Sequence, residues 1–587
     1  MLLVAAGADA AHVEPAYPEL REAAADLQQS EQLLSNPGSW SVTTIDSADS
    51  LRSQAQALLT SAKGRLGSDP GFAIAGAIPR LGDQTRAVSD LVDTGLDGVA
   101  ADADLAAVAR AYVLGGDPHA KLTSRLISLL TQTAAPLADA DQHLRRAAAR
   151  LQVDAHSSLV PQLAKQVTTA LDTVAGQLPK VDAAATLAQL LPAAMGTSGP
   201  RTYLVALPNP AELRPSGGLS AFIGVVQFSN GLPTQLSVSR GDVYTPLRPC
   251  FPIPTVLAYY LKFQPNCQDL GDAGWDPDFP TTARLMESMV LATTGVHVDG
   301  VISLDPYAIA DLLRVIGPIS VPGYGAFTAD NLLNRTEVIV NVQNDYGVMN
   351  PLARTLLAQI LGAPVTKFPD LIGSLQTNTA ERHIQLHMRD ATLEQRILAG
   401  SAGGALEGAA GDYLMVVDAN VSPSKGDLFM QKRCDVNVTV QPSGLAQHEV
   451  TASYTYPKPA TPSRADTVLN TDGVYRDYVR FVVPGDATVA DIEYVLDGKP
   501  APAAAQPIVE ELGKTVIGMY FELPRGHTGQ VTVSYTDHVP GRGAYHLLVQ
   551  KQAGASDRPT TLDVVFPGGR RELGSELTED ASFDVGW

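Results

Sequence analysis

The sequence predicts a multidomain α+β protein: an N-terminal helical bundle or stalk (residues 1–197), a central mixed-sheet α/β domain (198–424) and a C-terminal β-sandwich (425–587). Three observations lead there. The first third is rich in Ala and Leu at helical spacing, the middle interleaves strand-like runs with helical segments, and the last part holds only short strand-like runs between Gly/Pro turns. A chain of 587 residues is also too long for one core.

In the first part, Leu122, Leu126, Leu129, Leu130, Leu137, Leu144 and Leu151 recur at intervals of three, four and seven, which is one helical face. Leu51, Leu58, Ala62 and Leu66 repeat the pattern earlier, and breaks at Gly67-Ser-Asp-Pro70 and Gly115-Gly-Asp-Pro118 divide the helices. Such stripes read as core and carry no chemistry. At Gly199-Pro200 the character changes. Thr202–Leu207 suits a buried strand, and Leu219–Phe228 and Thr234–Ser239 flank Asn230-Gly231, a strong hairpin signal. Helical segments near 281–294, 306–316, 329–341, 350–362 and 390–399 alternate with strands near 298–304, 383–388 and 412–417, so helices should cover a mixed sheet. From Lys425 onward, runs such as Cys434–Val440, Glu449–Thr455, Tyr478–Val483, Val516–Glu522, Gln530–Tyr535 and Thr561–Phe566 suggest an immunoglobulin-like sandwich.

Charge narrows the partners. With 62 acidic against 42 basic residues the net charge is −20, which argues against nucleic acid and against broad adsorption to an anionic membrane face. The opening run Met1–Ala6 is far short of the roughly 20 apolar residues a membrane helix needs, and it lacks the basic start of a signal peptide. Any anchor is therefore expected outside this chain. Of the three cysteines, Cys250 and Cys267 flank a Pro-rich irregular stretch. A disulfide between them would be worth roughly 3 kcal/mol in an oxidising compartment, and the alternative is two unrelated buried thiols. Cys434 is expected inside a strand.

Several familiar catalytic patterns are absent: no phosphate-binding P-loop, no dinucleotide fingerprint, no Gly-x-Ser-x-Gly elbow, no His-Glu-x-x-His. Ser422-Pro-Ser-Lys425 has the Ser-x-x-Lys spacing of penicillin-binding enzymes but sits in a turn and lacks the partner motifs. His383 and His387 share a strand face, which reads as polar side chains on a solvated surface. The informative cluster is arginine-centred. Arg214 precedes Gly217-Gly218, which permits close backbone approach, Arg240 ends the second hairpin strand, and Asp242 and Arg248 follow. Guanidinium groups bind phosphate bidentately, so one reading is an anion pocket; the other is structural pairing with Glu212 and Asp242. In Trp275-Asp-Pro-Asp-Phe-Pro280, Asp276 and Asp278 suit either Mg²⁺ or a turn and helix cap. Asp305-Pro306 is a helix start.

Asn209-Pro-Ala-Glu-Leu-Arg-Pro-Ser-Gly-Gly218, Trp275–Pro280, Val298-Asp-Gly-Val-Ile-Ser-Leu-Asp-Pro306 and Gly317-Pro-Ile-Ser-Val-Pro-Gly323 together resemble domain-of-unknown-function family 4012, common in actinobacteria and typically membrane-anchored. The match runs over roughly 198–420 and continues through Asp418-Ala-Asn420 and Lys425. More distantly, the order is similar to the LytR–CpsA–Psr phosphotransferases, which move lipid-pyrophosphate-linked glycopolymers onto the cell wall. Ser237-Val-Ser-Arg-Gly-Asp242 looks like their strand-end motif, and Pro351–Gln359 looks like their Arg-containing helix. The resemblance implies an extracytoplasmic envelope protein with a LytR–CpsA–Psr-like core. Arg214, Arg240 and Arg354, with Gly217 and Gly218, would hold pyrophosphate, Arg240 and Asp242 would take part in transfer, and Mg²⁺ would sit on Asp276, Asp278 or Asp242. The sequence departs from that family where Gly241 separates Arg240 from Asp242 and where Asn341 and Gln343 replace paired arginines. A glycan-binding or scaffold protein with a degenerate core is the competing expectation.

Overall fold

A computed structural model describes residues 17–586 apart from 79, 118–119, 245–248, 262–266, 401, 410, 423, 460–462, 471 and 540–542. Met1–Ala6, Pro118, Pro423 and Arg248 thus lie outside the described residues. The chain forms two compact units: residues 1–200 with 229–232 and 361–369, and the remainder of 201–587.

The first unit is helical, with α1 (Tyr17–Leu34), α2 (Val42–Ser68), α3 (Pro70–Gly76), α4 (Leu81–Leu114), α5 (Leu122–Ala155) and α6 (Pro161–Ala194). All seven leucines of the 122–151 stripe are buried. In α2 the stripe is rotated by one position, since Leu59, Ala62 and Leu66 are buried while Leu51 and Leu58 are half-buried. Alanines at facing positions (Ala55, Ala87, Ala140, Ala147) let the helices approach closely around Leu91, Val92, Leu144 and Leu151. Asp69 caps α3 by accepting from the Phe72 amide, with Pro70 at the first helical position.

The second unit opens with a five-stranded sheet. Its strands are β1 (Arg201–Asn209), β2 (Leu219–Ser229), β3 (Leu232–Arg240), β4 (Gly300–Leu304) and, after the small hairpin β5 (Ile319–Val321) and β6 (Gly325–Phe327), β7 (Ile384–Met388). The order is β3-β2-β1-β4-β7, with β1 parallel to β4 and antiparallel to β2. Asn230 and Gly231 both take positive φ in the β2–β3 turn, the backbone that the Asn-Gly pair favours. Helices cover both faces, because alternate residues of β2 point opposite ways. Ile223 packs with α8 (Phe279–Thr294), which follows α7 (Thr255–Leu261), whereas Phe222 packs among α9 (Pro306–Ile316), α10 (Leu332–Glu337) and α11 (Met349–Gly362).

Two larger sheets complete the unit. Their strands run from β8 (Asp412–Val417), β9 (Gln431–Val440), β10 (Leu445–Thr455), β11 (Val474–Pro484) and β12 (Thr488–Leu496) through three short strands, β13 (Lys499–Pro500), β14 (Ala504–Ala505) and β15 (Val509–Glu511). There follow β16 (Lys514–Pro524), β17 (Thr528–His538), β18 (Ala544–Val549), β19 (Thr560–Phe566), β20 (Gly569–Ser575) and β21 (Ala581–Gly586). One sheet has the order β13-β12-β17-β10-β9-β19-β20 and the other β14-β16-β11-β8-β18-β21. Val436, Val450 and Val533 of the first meet Val479, Phe481, Ile517 and Phe521 of the second in one core. Strand β8, read from sequence as part of the α/β domain, lies centrally in the second sheet, antiparallel to β11 and parallel to β18. Its Asp-Tyr-Leu-Met-Val-Val run is buried on both faces, as a central strand requires. Cys434 is buried in β9, and burial pushes its thiol up to about 12.

Within this core His448 lies between two carboxylates: its Nε2 is 2.8 Å from Asp537 and its Nδ1 is 3.5 Å from Asp412, and it stacks on Tyr535 at 4.4 Å. Burial pushes the Asp412 carboxyl up to about 6 against the pull of His448. For His448, burial is the largest effect and acts downward, but the two carboxylates outweigh it and raise the imidazole. Both groups hold protons more tightly folded than unfolded. Their contribution to stability is therefore complete at acid pH and is lost as pH rises, through about 6 for Asp412 and above 6.5 for His448. The loss from Asp412 falls between about pH 4 and pH 6 and that from His448 follows above 6.5, so stability should decline steadily toward pH 8. Urea midpoints at pH 5, 6, 7 and 8 measure it. Asp412→Asn should flatten much of the slope, and an unaltered slope would remove Asp412 from the account.

Candidate functional site

The parallel pair β1 and β4 ends at Asn209 and Leu304, and beyond these carboxyl ends lies a cavity of about 300 Å³. Crevices outside the carboxyl ends of parallel strands are the usual ligand positions in open α/β sheets. The walls are mostly apolar, from Leu207 and Phe222 on the sheet, Ile309 on α9, Leu332 on α10 and Leu352 on α11. A π-helical turn, Val338–Val342, follows α10 and lends Val340 and Asn341 to the lining. Such turns occur often at functional sites.

Polar groups gather among these walls. Arg240, at the end of β3, sits 4.8 Å above the Tyr346 ring and pairs with Asp242 at 2.9 Å. Both ends of that pair are about half exposed (52% and 54%), so an incoming anion could take over the guanidinium at little cost. Lys425 also lines the cavity, and its Nζ lies 2.6 Å from Glu212. Glu337 is buried and accepts from the side-chain amides of Asn209 and Asn341 at 2.8 and 2.7 Å; burial raises its carboxyl above the ordinary value. Gly241 is required by packing: a Cβ there would lie 2.8 Å from the Ser220 carbonyl oxygen and 3.3 Å from the Gly271 nitrogen.

The residues singled out from sequence separate into distinct places. Arg240 and Asp242 line the cavity; Arg214, Gly217, Gly218, Arg354, Asp276 and Asp278 do not. Arg214 is 1% exposed and fully engaged by protein. Its Nε donates to Asp272 at 2.8 Å, Nη1 to the Leu213 and Asn420 carbonyls, and Nη2 to Glu212 at 3.2 Å. The structural-pairing alternative describes it. Gly218, at φ 140°, is demanded by backbone, because a Cβ would lie 2.2 Å from the Asn209 oxygen. Gly217, at φ 120°, presents its carbonyl to Gly554, whose Cβ position is 2.1 Å away. Arg354 is exposed and donates to the Leu236 carbonyl at 3.1 Å.

Two of the three expected Mg²⁺ ligands, Asp276 and Asp278, are engaged in capping and turn contacts. Asp278 caps α8: one oxygen accepts from the amide and hydroxyl of Thr281, the other from the Leu406 amide. Asp276 accepts from the Asp278 amide, and burial pushes its carboxyl up to about 6. With both Asp278 oxygens engaged by the Thr281 and Leu406 groups and Asp276 tied to the Asp278 amide, the pair is a poor divalent site, so no step is routed through a metal there. Ser422 donates to Asn420 at 2.6 Å and Lys425 pairs with Glu212, so the Ser-x-x-Lys spacing has a structural account. The two histidines are not on a solvated face. His387 is buried against Glu394 at 2.7 Å, and His383 meets the helix-capping Asp305 at 2.7 Å, each by Nδ1. Cys250 and Cys267 form a disulfide with Cα atoms 5.2 Å apart, enclosing α7, whose Leu257 is buried against Ala419, Val421 and Tyr478.

Sequence reasoning missed Glu337, Tyr346 and, as a cavity residue, Lys425. Only Lys425 carried a signal, lying in the segment that continues the family pattern.

No curated protein matches the chain. Among solved structures, it is similar to a candidate nutrient-binding protein from Legionella pneumophila, with 12% identity over 30% of this chain and 68% of that one and a TM-score of 0.20. It is also similar to native leukotriene A4 hydrolase from Saccharomyces cerevisiae, with 12% identity over 24% of this chain and 26% of that one and a TM-score of 0.16. Likenesses at that level say nothing further about this chain. Residues 198–339, which hold β1 to β4 and most of the cavity walls, match the model of a family described as protein of unknown function, DUF4012.

Proposed function

We propose that the α/β domain binds a polyprenyl-pyrophosphate-linked glycan, or a closely related amphiphilic phosphate, at the cell envelope. The observation that carries the reading is the apolar chamber with Arg240 beside it at the carboxyl ends of β1 and β4. The chamber suits part of an aliphatic chain, and its volume falls at the small end of the roughly 300–1,000 Å³ usual for ligand sites. Arg240, stiffened by Tyr346, supplies a planar donor for a phosphate, and Lys425 a second cation. The disulfide fits an oxidising, extracytoplasmic compartment. The resemblance to the LytR–CpsA–Psr phosphotransferases supports the ligand class. Binding is favoured over transfer, since the paired arginines are replaced by Asn341 and Gln343, and Asn341 is tied to Glu337. The two large sheets are read as an immunoglobulin-like sandwich that supports the domain.

The test is titration of the full chain with a polyprenyl-pyrophosphate-linked glycan, with and without Mg²⁺. Arg240→Ala should weaken binding about 10- to 100-fold, the weight of one or two charge-assisted hydrogen bonds, without moving the thermal midpoint. Absence of binding by the unaltered protein would end the proposal; release of the glycan would make it an enzyme after all.

A further inference from the structure

Between the two large sheets sits a polar cluster that apolar packing does not account for. Asp412, the first residue of β8, comes from one sheet, while His448 of β10 and Asp537 of β17 come from the other. In the β10–β17 register Ala446 opposes Asp537 and His448 opposes Tyr535, so His448 and Asp537 are diagonal neighbours on one face. All three side chains are at most 2% exposed. One ligand-type atom of each lies within 4.8 Å of the others. Burying two carboxylates and an imidazole together is costly unless every charge and hydrogen-bonding atom is matched. Most are matched: His448 Nε2 meets Asp537 at 2.8 Å, and Asp412 accepts from the Tyr545 hydroxyl and the Tyr413 amide. Two atoms are left over. His448 Nδ1 has no hydrogen-bond partner among the described residues, and neither has the hydroxyl of Tyr535, whose ring stacks on the imidazole. Orphaned atoms of this kind are rare in a core and point to an ion or a water that completes them.

We propose that this cluster between the sheets binds a zinc ion, ligated by His448 Nδ1 and the Asp412 carboxylate, with Asp537 orienting the imidazole through Nε2. The spacing separates ion from water. Nδ1 stands 3.5 Å from Oδ2 of Asp412, too far for a good direct hydrogen bond. Ligands about 2.0–2.1 Å from a tetrahedral ion lie roughly 3.3–3.4 Å apart, whereas a bridging water holds its partners roughly 4.5 Å apart. The observed gap matches the ion. The donor set then selects among ions, because Ca²⁺ and Mg²⁺ take oxygen shells while an imidazole nitrogen suits zinc. Asp537 on the far ring nitrogen supplies the carboxylate–histidine–metal arrangement that fixes ring and tautomer. Charge agrees as well: a neutral imidazole, two carboxylates and a divalent ion sum to zero in a place closed to water. The ion pins one sheet to the other and, being buried, enters as the chain folds.

The probe is zinc itself, on the full chain produced with zinc supplement or with chelator and freed of loose metal by gel filtration. Elemental analysis should find about one zinc per chain in the supplemented protein. Zinc at about a hundred times its dissociation constant should raise the thermal midpoint of the chelated protein by about 3–7 °C. The urea series over pH is run with chelator, so that it reports the metal-free site. Asp412→Asn should abolish both effects. Asp537→Asn should keep the site but weaken zinc about 10- to 100-fold, and it carries the test if Asp412→Asn fails to fold. A supplemented chain that holds no zinc overturns the proposal. So does zinc retained by the variants as firmly as by the unaltered protein, which would place the metal on surface histidines.

Discussion

Asp418→Asn is expected to destabilise the second unit by about 3–5 kcal/mol, the usual cost of breaking a buried charge network from one side. Asp418 follows β8 and is fully buried. Its carboxylate receives Lys432 at 2.8 Å, the Tyr454 hydroxyl at 2.7 Å and Arg558. Burial alone would raise this carboxyl, but Arg558 and Lys432 outweigh it and hold the group well below the usual range. Next to it, burial and the Asp418 charge drive Asp477 the opposite way, far above its ordinary value, so Asp477 carries the proton of the pair. Lys432 also binds Asp427 at 2.9 Å, and Asp427 accepts from Asn420. Removing the Asp418 charge leaves Arg558 buried without a carboxylate and relieves the repulsion that keeps Asp477 neutral. The urea midpoint reads the loss. If Asp418→Asn costs under about 1 kcal/mol, the network is no stronger than a surface pair. Because a lowered carboxylate stabilises fully above its unfolded value of 3.8 and loses that contribution gradually as pH falls below it, the contribution should be intact down to about pH 4.

That network also explains what could be read from sequence and what could not. Local signals held where the chain itself decides the geometry. Asn230-Gly231 formed its turn, Asp305-Pro306 its helix start, the 122–151 leucines their buried stripe, and the Cys250–Cys267 spacing its bridge. Asp276 and Asp278 had two readings, and helix capping was the local one. Long-range assembly was not legible. Strand β8 looks like the last strand of an α/β domain because it follows the helix Ala391–Ala399, yet its partners β11 and β18 come more than 50 residues later. His383 and His387 alternate like solvated residues, but each finds a carboxylate that only tertiary packing supplies. Glu337 was silent for the same reason, since a Glu near the end of a helix becomes notable only when Asn209 and Asn341 converge on it.

Arg214→Met should be comparably damaging, about 3–5 kcal/mol, and yet change binding at the cavity by no more than a few-fold. The two effects divide because Arg214 holds the segment Asn209–Gly218 to its surroundings without lining the cavity. The guanidinium joins Asp272, Glu212 and the carbonyls of Leu213 and Asn420, so one side chain ties the β1–β2 connection to the 3-10 turn Leu270–Trp275 before α8 and to the residues after β8. Met fills the volume but leaves two buried carboxylates short of a cation. Glu212 keeps Lys425 at 2.6 Å, whereas Asp272, which burial already raises to about 6, has no second cation among the described residues and takes up a proton. Arg214→Lys retains the charge and loses the fork, so it should fall between, at roughly 1–3 kcal/mol. Arg240→Ala has the reverse signature, with weakened ligand binding and unchanged stability, because its ion pair with Asp242 is half exposed. The pair of variants thus separates an arginine that builds the site from one that contacts the ligand. If Arg214→Lys keeps its urea midpoint and loses binding as steeply as Arg240→Ala, the family-derived role for Arg214 returns and the cavity must open toward it.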